Sequence, residues 1–256
     1  MNHHETPVAE TATRSDRPAG TVRTVRPGDS GSGRIYRGVA RSDRDAERRA
    51  RLVAAGLELF GTQGFSATTV KAICAEARLT ERYFYESFEN REALFEAVGL
   101  KCVTGLMNEL VTAAGRIGDD RNQHARAMLL AFFRWFQADP RRTRIQLHEP
   151  LVMGERFHTL YRDVTALFAD LVRSASMHWY ENAARKRRLD LDLMSKALVG
   201  AAVTIVRTWH DEGYRRPIED LVHSTAFLFQ SLGESLEEAS PGRATTRRSS
   251  GRPKRS

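Results

Sequence analysis

A chain of 256 residues, 41% apolar and 28% charged, is long enough to bury a core and has an ordinary globular balance. Its formal net charge of +8 suggests a polyanionic partner, yet residues 1–44 carry eight Arg against five acids (+3) and residues 240–256 six cations against none (+6), which leaves 45–239 at −1. No apolar segment opens the chain. The longest apolar run, Ala197 to Val206, falls well short of the roughly 18 residues of a membrane span, so a cytoplasmic protein with no membrane partner is expected.

In chain order, residues 1–44 are rich in Thr, Arg, Pro, Gly and Ser and read as a disordered basic arm. Its last arginines, Arg34, Arg37, Arg41 and Arg44, suit either a solvated tail or an arm laid along DNA. Asp45 to Gln63 is the first expected helix, with Leu52, Val53, Gly56, Leu59 and Phe60 at helical spacing and Gly64 as its left-handed stop. The stretch from Ala67 to Phe88 reads as two short helices around a tight turn. Val70, Ile73, Cys74 and Ala77 form the inner stripe of the first, with Thr68 or Thr69 as N-cap, and Thr80 is positioned to cap the second. Phe84 and Phe88, four apart, face the core, while Arg82 and Glu86 point the opposite way with Tyr83 and Tyr85 on the flanks. This is helix-turn-helix geometry.

Asn90 is placed to cap a fourth helix through Leu94, Phe95 and Val98 to about Ala114. Beyond residue 120 only helical periodicity appears. Helices are expected over 123–138, a short piece near 144–147, 154–187, 191–213, and a last one after Pro217, which suits a first helical turn. Residues 240–256 return to low complexity, and G-R-P near the end resembles half of a minor-groove hook, a weak match beside a merely solvated tail. Cys74 and Cys102 fall among apolar neighbours and read as reduced and structural.

The segment from Arg49 to Val98, with its E-L-F, G-F, T-T-V, Y-F-Y and N-R-E-A-L-F blocks in order, resembles the N-terminal domain of TetR-type transcriptional regulators. The implied architecture is all-α: a three-helix helix-turn-helix domain over 45–100, then a helical ligand-binding and dimerisation domain over 101–239 whose last two helices pair across a two-fold axis. Arg82 and Tyr83 are the candidates for base contacts, since Arg matches the O6/N7 edge of guanine. Thr69, Lys71, Thr80, Tyr85 and Arg91 surround them as further DNA-binding candidates, and the resemblance places the equivalents of Tyr85 and Arg91 on the backbone. Arg78 departs from the family's usual glycine at the turn.

Residues 45–101 hold eight cations and nine acids, so the case for DNA rests on shape rather than net charge. Glu86 suits two roles, accepting from cytosine N4 or holding Arg82 in place. In the body, Phe132, Trp135, Phe136, His148 and Met153 are the candidate ligand pocket, although an aromatic stripe is more often plain core. Phosphate loops, paired zinc cysteines and nucleophile elbows are absent, and His148-Glu149 and His210-Asp211 are adjacent pairs that diverge on a helix. No catalytic residue, metal or cofactor is therefore expected beyond an unidentified small-molecule effector. The expected function is a sequence-specific regulator, a homodimeric repressor reading a palindromic operator in double-stranded DNA and released by a ligand. The alternative is an architectural DNA-binding protein that relies on its basic tails.

Overall fold

The computed structural model describes residues 32–117 and 120–237, and among these every element is helical. The elements are α1 (Ser32–Thr62), α2 (Val70–Ala77), α3 (Glu81–Ser87), α4 (Arg91–Ala114), α5 (Arg121–Ala138), α6 (Pro140–Thr143), a π-helical turn (Arg144–His148), a 3-10 turn (Glu149–Leu151), α7 (Glu155–Arg187), α8 (Leu191–Asp211) and α9 (Ile218–Glu237). From Asp43 on, the chain forms one unit, with residues up to Ser42 clustering apart. Most of the arm, the 240–256 tail with its G-R-P, and the side chains of Arg34, Arg37 and Arg41 lie outside the described residues.

The first helix starts at Ser32 rather than at Asp45. A shortage of large apolar residues limits what a segment can bury, but not its helicity once a neighbouring turn is nucleated. The other expected helices lie within a few residues of their predicted limits. The single short helix expected near 144–147 is instead α6 followed by the π-helical and 3-10 turns, because Pro140 opens one helix and Pro150 cannot continue another.

The caps explain why the head helices begin and end where they do. The Thr69 hydroxyl accepts from the Ala72 amide at 3.1 Å, and Asn90 Oδ1 accepts from the Ala93 amide at 2.8 Å. Thr68 is instead fully buried and donates to the Gly64 carbonyl at 2.8 Å. Gly64 adopts φ +87°, the left-handed stop that its sequence position predicts.

Two apolar clusters organise the described unit. One holds Leu52, Phe60, Ile73, Phe84, Leu94 and Phe95 from the head together with Ile145 and Phe157 from the body. Phe60, Phe65, Phe95 and Phe157 meet in edge-on and tilted contacts with centroids 5.4–6.4 Å apart. The second, centred on Leu106, Phe133, Phe136, Val206 and Trp209, joins α4, α5, α8 and α9.

A polar seam runs beside the first cluster. Glu149, 8% exposed, accepts from the Phe65 amide at 3.1 Å and from Arg144 Nε at 3.0 Å. Arg144 Nη1 also donates to the Thr62 carbonyl at 2.8 Å. Arg141 bridges Glu58 of α1 and Asp139, the N-cap of α6. The corner between α5 and α7 is therefore bonded directly to the end of α1.

Candidate nucleic-acid interface and interior cavity

The α2–α3 turn closes on Arg78, which takes the left-handed conformation at φ 52°, ψ 48°. Its amide donates to the Ala75 carbonyl at 3.1 Å and the Leu79 amide to the Cys74 carbonyl at 2.9 Å, a Schellman closure. The turn thus takes the left-handed conformation without a glycine, at a cost of about 1–2 kcal/mol.

On α3, Phe84 and Phe88 are buried as their spacing predicts. The Arg82 side chain is 82% exposed and its Nε donates to Glu86 Oε1 at 2.8 Å, so of the two roles open to Glu86 the structure displays the one that orients Arg82. Tyr85 is 58% exposed and stands edge-on to Phe84, at a centroid distance of 5.3 Å. Thr69, Lys71 and Thr80 are exposed around them, and the Thr80 hydroxyl makes no cap bond although the residue occupies the N-cap position.

Two candidates differ from the expectation of outward contacts. Tyr83 is half-buried, with the Arg48 guanidinium 4.6 Å above its ring. Arg91 turns inward: its Nη1 donates to the Phe65 carbonyl at 3.3 Å and to the Thr68 carbonyl, and its guanidinium lies 4.7 Å over the Phe65 ring. The carbonyls of the α1–α2 connection outcompete solvent for this cation, so the side chain braces the turn.

Three further arginines of α1 belong to this surface. Arg48 covers Tyr83, Arg49 covers Phe88 at 4.2 Å, and Arg51 donates from Nε and Nη2 to the Ala77 carbonyl at 3.1 and 2.6 Å and from Nη2 to the Arg78 carbonyl at 3.0 Å. Cations at the C-terminus of α2 satisfy its last carbonyls and its dipole. The D-x-x-R-R-x-R run was visible, but only the packed helices show that it faces α2 and α3.

The body encloses a cavity of about 550 Å³, within the size range of ligand pockets. Its walls come from α4 (Phe95, Val103, Leu106), α5 (Met128, Phe132, Phe136), the π-helical turn (Ile145), α7 (Leu160, Val164, Phe168) and α8 (Leu198, Ala202). Polar groups are few. Gln146 has a buried Oε1 with no hydrogen-bond partner, and Arg121 lies 5.3 Å from the centroid of Tyr180. Of the five pocket candidates, Phe132 and Phe136 line this cavity, whereas Trp135, His148 and Met153 do not. Trp135 packs where Gly105 leaves no room for a side chain and carries Arg142 3.7 Å over its ring. Met153 packs on the head cluster, and His148 faces His210. Helical periodicity marks a buried face but does not say whether the space beyond it is filled.

Both cysteines are free and buried, and burial raises both thiols, Cys102 to about 11. Among the described residues no helix is long and apolar enough to cross a membrane.

A tight helix-turn-helix whose second helix is buried on its aromatic face and offers Arg82 and Tyr85 outward defines a DNA-binding head. Residues 52–98 match the profile of the family described as bacterial regulatory proteins, tetR family, so the head carries that family's DNA-binding domain. No curated protein matches the chain. Among solved structures, it is similar to the fatty acid degradation regulator FadR from Bacillus halodurans (TM-score 0.62, 16% identity, covering 71% of this chain and 93% of that one). It is also similar to a transcriptional regulator from Pseudomonas aeruginosa PAO1 (0.62, 18%, 75% and 93%) and to FadR from Bacillus subtilis, solved in complex with stearoyl-CoA (0.61, 12%, 70% and 96%). At these identities the likeness is one of fold. Family match and fold favour the regulator over the architectural alternative.

Proposed function

We propose that the protein is a homodimeric repressor that reads a palindromic operator and releases it when a ligand with a long apolar chain enters the body cavity. One observation carries the reading: Phe95 and Ile145 belong to the head's core and also line the cavity. A ligand that moves either residue acts on the packing that orients α3, so it changes the relative stability of operator-competent and incompetent states. Apolar walls with few polar groups suit an acyl chain, and the stearoyl-CoA held by the B. subtilis regulator supports that class.

On the DNA side, Arg82 is the base-reading residue, oriented by Glu86, with Tyr83 beside it at the edge of the groove. Thr69, Lys71, Thr80 and Tyr85 meet phosphates, and Arg91 serves by bracing the α1–α2 turn rather than by reaching the backbone. Dimerisation follows because one recognition helix reads too few bases. Leu193 on α8 and Phe227 and Leu228 on α9 are 66%, 62% and 50% exposed, and a side chain added at Gly200 meets nothing, so these helices offer an apolar face for a second copy.

The test is a footprint on the promoter beside its own gene, repeated with acyl-CoA thioesters of graded chain length. Protection of a palindrome that is lost in Arg82→Ala, and weakened by long but not short thioesters, is the expected result. Protection indifferent to every thioester removes the acyl ligand, and protection undiminished in an Arg82→Ala, Tyr83→Ala double variant removes the recognition-helix assignment.

A further inference from the structure

His148 and His210 sit in sequence beside acids that do not serve them in the same way. Glu149 turns to the Phe65 amide, whereas His148, the last residue of the π-helical turn, meets the C-terminal end of α8. There His148 Nε2 lies 3.6 Å from Asp211 Oδ1, His210 Nδ1 lies 3.2 Å from the same oxygen, and the two imidazole centroids are 5.0 Å apart. One donor atom from each of the three residues falls within 4.8 Å of the others. His148 Nε2 is buried and has no hydrogen-bond partner.

We infer that His148, His210 and Asp211 form a binding site for a divalent transition-metal ion, of the zinc, nickel or cobalt type. Ligand bonds of about 2.0–2.1 Å imply ligand–ligand edges of about 3.3 Å, so the two edges to Asp211 are already close, and the third, between the two imidazole nitrogens, lies within 4.8 Å and closes by a small rotation of the rings. Two imidazoles and one carboxylate select borderline ions over calcium or magnesium. The charged groups facing the site sharpen that choice. Arg207 and Arg144 both act on His148, so a hard cation held by charge alone is disfavoured, whereas imidazole lone pairs still bind a borderline ion. Burial lowers the His148 pKa against the opposing charge of Asp211, with His210, Arg207 and Arg144 adding to the lowering. The exposed Asp211 side leaves a position for water or a further donor. An ion held here pins the turn that carries Arg144 and Glu149 to α8, and that turn is bonded to the end of α1. The inference is independent of the acyl-ligand reading.

The experiment uses the full chain, stripped with a chelator, titrated with Zn2+ against a chromophoric competitor and separately with Co2+ followed by visible absorption. One Zn2+ per chain and the d–d bands of a four- or five-coordinate cobalt site are expected. His148→Gln and His210→Gln should each weaken binding by about 100-fold or more, beyond the usual loss for an outer-shell partner. Asp211→Asn, an exposed change that leaves the core untouched, should weaken it as well, while a His3→Ala, His4→Ala variant should bind as the parent does. Absence of a stoichiometric site, affinity unchanged in His148→Gln and Asp211→Asn, or affinity lost with His3 and His4 overturns the inference.

Discussion

Neighbouring residues of α3 divide stability from recognition. Phe84 is fully buried in the head cluster, so Phe84→Ala should cost about 3–5 kcal/mol, read as a shift of the urea midpoint, and should remove DNA binding with the fold. Arg82→Ala should leave stability nearly unchanged, because its pair with Glu86 is exposed, yet should lower operator affinity and relax base preference by roughly 10- to 100-fold. Arg78 offers a test in the other direction. Glycine relieves the left-handed strain of about 1–2 kcal/mol but loses more entropy on folding, so Arg78→Gly should stabilise the head by about 0.5 kcal/mol in thermal unfolding.

At the scale of elements, the corner formed by α6 and the two turns after it ties the body to the head. Glu149→Gln removes the charge that holds Arg144 while keeping the shape. It should destabilise the protein by about 2 kcal/mol in urea unfolding, the range of buried hydrogen bonds to charged groups, and should blunt any effect of a cavity ligand on DNA affinity. Asp139 caps the same corner. Burial would raise its pKa, but hydrogen bonds and charge from Arg141 and Arg142 outweigh that and lower it. A depressed carboxyl contributes stability above the ordinary aspartate pKa of about 4 and loses it as pH falls through the folded value. The stability gap between the parent and Asp139→Asn should therefore persist at pH 7 and narrow below about pH 4.

For the whole molecule, charge and recognition are spatially divided in the sequence. The ends carry +3 and +6 while residues 45–239 sum to −1, and three arginines of α1 are committed to holding α2 and α3. Deleting residues 1–31 and 240–256 should weaken binding to every DNA and flatten the dependence of log K on log salt. The preferred site should stay the same, which competition gel shifts at several salt concentrations can check.

The head was legible in the chain itself because its determinants are local. Thr69 and Asn90 cap within three residues, Gly64 stops α1 in place, and Phe84 and Phe88 declare a buried face by their spacing. The limits and order of the long body helices followed from the same periodicity, whereas the corner after Pro140 did not. Tertiary structure alone decided what each face meets. It spent Arg91 on the carbonyls of Phe65 and Thr68, joined Glu149 to Phe65 across 84 residues, left Trp135 in solid packing beside a cavity that Phe132 and Phe136 enter, and carried His148 to His210 and Asp211. A helical repeat records which side of a helix avoids water. The partner on that side depends on how distant helices slide and rotate against one another, and no short-range pattern encodes it.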